Sequence, residues 1–305
     1  MLNLRTAYLA WMSVCVIWGT TYLAIRIALE TIPPALVGAF RYISAGAVLM
    51  LVLAARRQPM PALRAWFGLG LAGFLMIVLG NGGVIWAEQW VPSGIAAVTV
   101  ASTPFWMIGV EAALPGGERF SLRAAVGLAI GFGGIVLLVW PDLFGGISGR
   151  NYALGMLALQ VACLGWALGS SYSRRHAQNE NALSAAAVQM LLGGLMMLAI
   201  ALVRGEWDGL SFTPRSLAAE VYLAAVGSLA GYPAYIYALK HLPVSIVSLY
   251  AYANPIIAVL LGALLLAEPL GLRVIVATAA VLLGITVVRG AQPRRQPDPS
   301  RNQQR

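Results

Sequence analysis

Charge, histidine and cysteine are what this chain has least of. Charged residues are 10% of its 305 residues, against roughly 25% in soluble domains. A globular surface wetted on every side is therefore excluded. The two histidines, His176 and His241, fall in loops, and no HExxH is present. That leaves no catalytic residue and no metal-ligand set inside an apolar segment. No GxxxxGK[ST] phosphate loop occurs, and no loop is long enough for a nucleotide-binding domain, which disfavours a primary pump. Cys15 and Cys163 both sit in apolar stretches and give no disulfide framework. No cofactor is implied.

What the chain does have is apolar length. It is 60% hydrophobic, with a mean hydropathy of +0.79. A bilayer span needs about 20 mostly apolar residues. Ten stretches qualify: 7–28, 35–55, 66–89, 93–114, 122–141, 152–173, 182–203, 217–239, 244–266 and 270–288. The expectation is an all-α integral membrane protein in contact with lipid. The net charge of +9 does not signal nucleic acid, because its distribution has another reason. With the amino terminus inside, the cytoplasmic segments hold Arg5, Arg56, Arg57, Arg64, Arg119, Arg123, Arg174, Arg175, Lys240, Arg289, Arg294, Arg295, Arg301 and Arg305. The other side holds Arg150, Arg204, Arg215 and Arg273. This bias predicts cytoplasmic termini and an external loop 142–151. The first stretch reads as a retained helix rather than a cleaved leader. Residues 292–305 read as a disordered basic cytoplasmic tail.

The stretches form two sets of five. Cys15–Trp18 recurs as Cys163–Trp166 at an offset of 148. Trp90–Ser93 recurs as His241–Val244 at 151, which also lays Ser102–Thr103–Pro104 over Ala253–Asn254–Pro255. Glu118 and Gly134 recur as Glu268 and Gly284 at 150. The repeats are 7–141 and 152–288. Five spans is an odd number, so the second repeat enters the membrane inverted. That arrangement is a signature of secondary transporters, with substrate bound between the halves.

WGTTY at 18–22, FRYISAG at 40–46, WAEQWVPSGIAAV at 86–98 and ANPIIAVLLGALLLAEPL at 253–270 resemble the EamA repeat. Over about residues 10 to 288 the chain resembles the EamA-type exporters of the drug/metabolite transporter superfamily. The resemblance implies ten helices, a central cavity between two inverted repeats, and export of small metabolites, amino acids or drugs across the bacterial inner membrane. It names no cargo, coupling ion or oligomeric state.

Thr99, Ser102, Thr103 and Trp106 fall at i, i+3, i+4 and i+7, a polar stripe on an apolar helix. Pro104 interrupts it. The 151 offset carries the stripe onto Tyr250, Ala253, Asn254 and Ile257, with Pro255 as the second helix breaker. Two such faces meeting would form a substrate cavity; packing through small hydroxyl residues is the ordinary alternative. Ser245, Ser248 and Tyr252 map onto small residues and read as a packing face. The repeat partners Trp18 and Trp166, with Asn81 and its 151-offset partner Tyr232, complete the candidate substrate site. Aromatics beside polar groups suit an amphiphilic or aromatic substrate. Among ionisable groups, Glu88 shares a helix face with Asn81 and is the candidate for proton coupling, although its place near a span end also fits a solvated cap. Arg41, about 9 Å into its span at 1.5 Å per residue, reads as structural. Glycine pairs at Gly127/Gly131 and Gly165/Gly169 permit close approach, within the chain or between copies. A non-catalytic channel or membrane scaffold, and an intramembrane enzyme, are the competing functions.

Overall fold

Leu-, Ala-, Val- and Met-rich segments with no water to satisfy their backbone have one economical solution, the helix. The computed structural model of the chain describes residues 2–117, 121–143, 149–177, 180–256 and 272–290, and among these it contains helices and no strand. The elements are α1 (Leu2–Ala28), α2 (Pro34–Ala55), α3 (Leu63–Gly73), α4 (Gly82–Ala87), α5 (Ser93–Val100), α6 (Thr103–Ala113), α7 (Leu122–Leu143), α8 (Arg150–His176), α9 (Ala182–Val203), α10 (Pro214–Tyr222), α11 (Gly231–His241), α12 (Val244–Val247), α13 (residues 250–256) and α14 (Leu272–Gly290). Among the described residues six helical runs are long and apolar enough to cross a membrane, and shorter apolar runs lie at Leu122–Gly134 and Ile275–Val288. The 257–266 part of the ninth predicted span, residues 144–148 of the loop 142–151, the tail 292–305, and Glu118 and Glu268 lie outside the described residues.

Local chemistry sets several boundaries. Thr213 and Ser216 form a capping box ahead of α10, with Pro214 in its first turn. Asn181 Oδ1 accepts from Leu183 N–H at the start of α9. The first amides of α2 have no cap from their own neighbour. Glu206, on a short 3₁₀ turn after α9, accepts from Ala35 N–H at 2.8 Å and Leu36 N–H at 3.2 Å instead. That carboxylate meets both the free donors and the positive end of the helix.

Two features recur in both halves. α3 and α4 are joined by a π-helical segment, Phe74–Asn81, and α10 and α11 by another, Leu223–Ala230. The segments begin and end 149 residues apart, so Asn81 falls over Ala230 rather than over Tyr232 at this point. The fourth and ninth predicted spans are each broken by a turn, at Ala101–Ser102 and at Ser248–Leu249. Pro104 sits in the first turn of α6, where its missing N–H costs nothing. Pro255 lies inside α13, a turn beyond its break.

Packing is crosswise. α1 packs on α11, and α8 packs on the π segment Phe74–Asn81. The first helix of each half thus lies against the third helical run of the other. α7 pairs with α14, where a Cβ on Gly284 would sit 2.5 Å from Gly127 O and 2.6 Å from Gly131 N. A Cβ on Gly165 would meet Leu79, and one on Gly169 Met76. Both glycine pairs are used inside the chain.

Candidate functional site

The first helix of each half carries a tryptophan, and the two meet. Trp18 and Trp166 ring centroids are 5.3 Å apart at 80°, an edge-to-face contact. Each ring needs a glycine on the opposing run. A Cβ on Gly231 would stand 2.6 Å from Trp18 Nε1, and one on Gly80 would stand 3.0 Å from Trp166 Cε3. Trp18 Nε1 donates to Gly227 O at 3.0 Å, a carbonyl inside the second π segment. Trp166 Nε1 donates to Tyr235 Oη at 3.0 Å, and Tyr235 Oη lies 2.7 Å from Ser170 Oγ. Tyr235 also packs tilted against Trp18 at 5.2 Å and edge-to-face on Tyr250 at 5.6 Å. Its signal in the sequence is the face it shares with Tyr232 on α11.

Beside this cluster lies a cavity of about 60 Å³. Trp18, Asn81, Thr103, Trp166, Tyr250 and Asn254 are in its wall, together with Thr21, Tyr22, Arg41 and Cys163. Asn254 is oriented by its surroundings: its amide nitrogen faces the carbonyls of Tyr250 and Cys15, each 3.0 Å away. It thereby ties α13 to α1. Thr103 Oγ1 donates to Val100 O at 2.6 Å and approaches Cys163 Sγ at 3.3 Å. Ligand pockets usually measure roughly 300–1,000 Å³, so the cavity is small beside one that encloses a ligand.

The remaining predicted residues lie outside the wall. Thr99 is buried, donating to Ile95 O at 2.8 Å beside Met156 Sδ at 3.7 Å. Ser102 and Trp106 turn to Gln160 of α8, with Trp106 Nε1 donating to Gln160 Oε1 at 3.0 Å. The break at Ala101–Ser102 divides the stripe, so its members no longer share one continuous face. Tyr232 donates to Gln189 Oε1 at 2.9 Å, and Gln189 Nε2 donates to Ser173 Oγ at 2.9 Å, so its hydroxyl is spent on α9. Tyr252 packs on α7, its hydroxyl donating to Leu128 O at 2.9 Å.

The ionisable groups depart most from the reading by span position. Glu88 is fully buried rather than a solvated cap, and neither carboxylate oxygen has a hydrogen-bond partner. Its backbone carbonyl accepts from Arg26 Nη1. Glu220 is also buried with both oxygens unpartnered. Arg41 is 2% exposed and sits in the cavity wall, Nε donating to Ser228 Oγ at 2.6 Å. Snorkelling requires a path to the interface, and Tyr42, Gly227 and Ser228 close around the guanidinium instead.

The model of the EamA-like transporter family matches residues 5–140 and 153–290. The chain is 33% identical over 274 residues to the Escherichia coli K12 protein named uncharacterized inner membrane transporter YedA, covering 90% of this chain and 87% of that one. It is 26% identical over 281 residues to an uncharacterized transporter of Archaeoglobus fulgidus, covering 89% and 94%. A solved crystal structure superposes with a TM-score of 0.74 at 22% identity, covering 96% of this chain and 99% of that one, a likeness of fold. With six helical runs among the described residues able to cross a bilayer and two matched repeats, this is a multi-pass membrane protein that belongs to the EamA-like transporter family.

Proposed function

We propose that the chain is a secondary transporter that exports a small molecule through the central cavity by alternating access. The observation that carries this reading is the crossed pair Trp18 and Trp166, each seated on a glycine of the other half's third helical run. Because the two halves clasp each other reciprocally, a rocking motion that loosens one crossing tightens the other, and access changes sides. The small cavity is the intermediate such a cycle passes through. The reading takes 7–141 and 152–288 as inverted repeats of five spans each, in a bacterial inner membrane with both termini cytoplasmic. Trp18, Asn81, Thr103, Trp166, Tyr250 and Asn254 touch the substrate. Glu88 is the acidic group assigned to any proton coupling, because it is buried and unpartnered at one end of the same helical run.

Reconstitution into proteoliposomes tests the proposal. A carrier gives saturable flux of a metabolite panel, accelerated by the same solute on the opposite side. Flux that stays linear with concentration and shows no counterflow would rule the carrier out in favour of a channel. Trp18→Ala and Asn254→Ala should each lower flux about tenfold while leaving membrane abundance unchanged, and a reporter fused after Arg305 should read cytoplasmic.

A further inference from the structure

We infer that the cavity takes a small organic carboxylate with an apolar or aromatic body, and that Arg41 is the group that receives its charge. This rests on the cavity being the transport site. Among the described residues lining it, Arg41 alone carries a formal charge; the rest of the wall is aromatic, amide, hydroxyl, thiol and aliphatic. An ion entering this space therefore meets one fixed charge, and it is positive.

The guanidinium is held in place without being used up. Its Nε–H is spent on Ser228 Oγ at 2.6 Å. Nη2 lies close against Gly227, where a Cβ would stand 3.1 Å away and crowd it. Tyr42 covers one face, with Cζ 4.9 Å from the ring centroid. Nη1 has no hydrogen-bond acceptor although it is buried. A buried donor left unpaired costs on the order of 1–3 kcal/mol, and a purely structural arginine at 2% exposure would be expected to have that bond made.

The acidic groups that interact with Arg41 through space are Glu88, at the end of α4, and Glu220, in α10. Neither is in the cavity wall, and neither oxygen pair makes a hydrogen bond. Neither takes a hydrogen bond from the guanidinium, whose Nη1 stays without an acceptor. A planar carboxylate matches that geometry, and Trp18, Trp166, Tyr22 and Tyr250 supply a surface for the rest of the molecule. The sequence hides this because an arginine six residues into a span looks like a snorkelling one.

The test uses the full chain in lipid nanodiscs and three probes of one shape: 3-phenylpropionate, 3-phenylpropionamide and 3-phenylpropylamine. Equilibrium binding is followed by tryptophan fluorescence. The carboxylate should bind about tenfold or more tightly than the amide, the scale of one charge-assisted hydrogen bond, and more tightly still than the amine. Arg41→Gln should abolish the preference while leaving amide binding in place, which also reports that the variant is folded; Arg41→Lys should restore part of it. Absence of carboxylate binding, equal binding of the three probes, or a preference that survives in Arg41→Gln overturns the proposal. Failure of the underlying reading looks different: Arg41→Gln changes selectivity while Trp18→Ala and Asn254→Ala leave all binding and flux untouched.

Discussion

The two ends of this helical bundle treat buried carboxylates differently. At one end Glu111 of α6 accepts from Ser171 Oγ and pairs with Arg175 Nη2 at 2.8 Å, while Arg175 Nη1 donates to Pro115 O at 3.1 Å. At the other end the carboxylates of Glu88 and Glu220 are as buried, and none of their oxygens has a hydrogen-bond partner. The first end is latched by short directional bonds between α6 and α8, one helix from each half. The second carries desolvation offset by no hydrogen bond, only by through-space attraction to Arg26 and Arg41, an arrangement tolerated where a group must change its environment during function. A latched end and a poised end around one small cavity make the conformation asymmetric even though the repeats are alike.

The largest effect that would break this contrast lies at the latch. Glu111→Ala strands Arg175 and Ser171 and should cost about 2–3 kcal/mol, below the 3–5 typical of a fully buried pair because Arg175 is partly exposed. A lowered unfolding midpoint in detergent is the expected reading; no change would show that the ion pair holds nothing. At the poised end the sign should reverse. Glu88→Gln and Glu220→Gln each remove a buried carboxyl that makes no hydrogen bond and should leave stability unchanged or raise it by about 1 kcal/mol. A loss comparable to that of Glu111→Ala would mean the carboxylates have partners and the two ends are alike. Glu88→Gln should also lose any dependence of flux on an imposed pH gradient; if that dependence persists, Glu88 leaves the coupling role. The smallest effect is expected for Arg26→Ala, whose guanidinium donates to the Glu88 carbonyl from an exposed position. That change should cost about 0.5 kcal/mol, read by the same melt.

Several features are legible in the sequence itself. Near-constant offsets pair Trp18 with Trp166 and place Tyr250 and Asn254 in a matched helix, and these four do meet at the cavity. Tyr252 read as packing and seats on Gly131. What failed to show was rotation. Thr99, Ser102 and Trp106 keep helical spacing, yet the turn at Ala101–Ser102 sends Ser102 and Trp106 towards Gln160. Tyr232 was aligned with Asn81 by the 151 offset, but the π segments align at 149. A helix that is apolar all round offers no polar face to fix which side turns inward, and a π segment alters the register of every residue beyond it.

Composition, apolar length and repetition therefore determined by themselves that the chain is a helical membrane protein built twice over. Those properties follow from the cost of bare backbone in lipid, which acts segment by segment. Only the tertiary structure decided that Arg41 lies in the cavity wall and that Glu88 and Glu220 are enclosed without hydrogen-bond partners. Burial of a charge depends on which neighbours close around it. For Arg41 those are Gly227 and Ser228, nearly two hundred residues away in sequence, and no local pattern encodes such a contact.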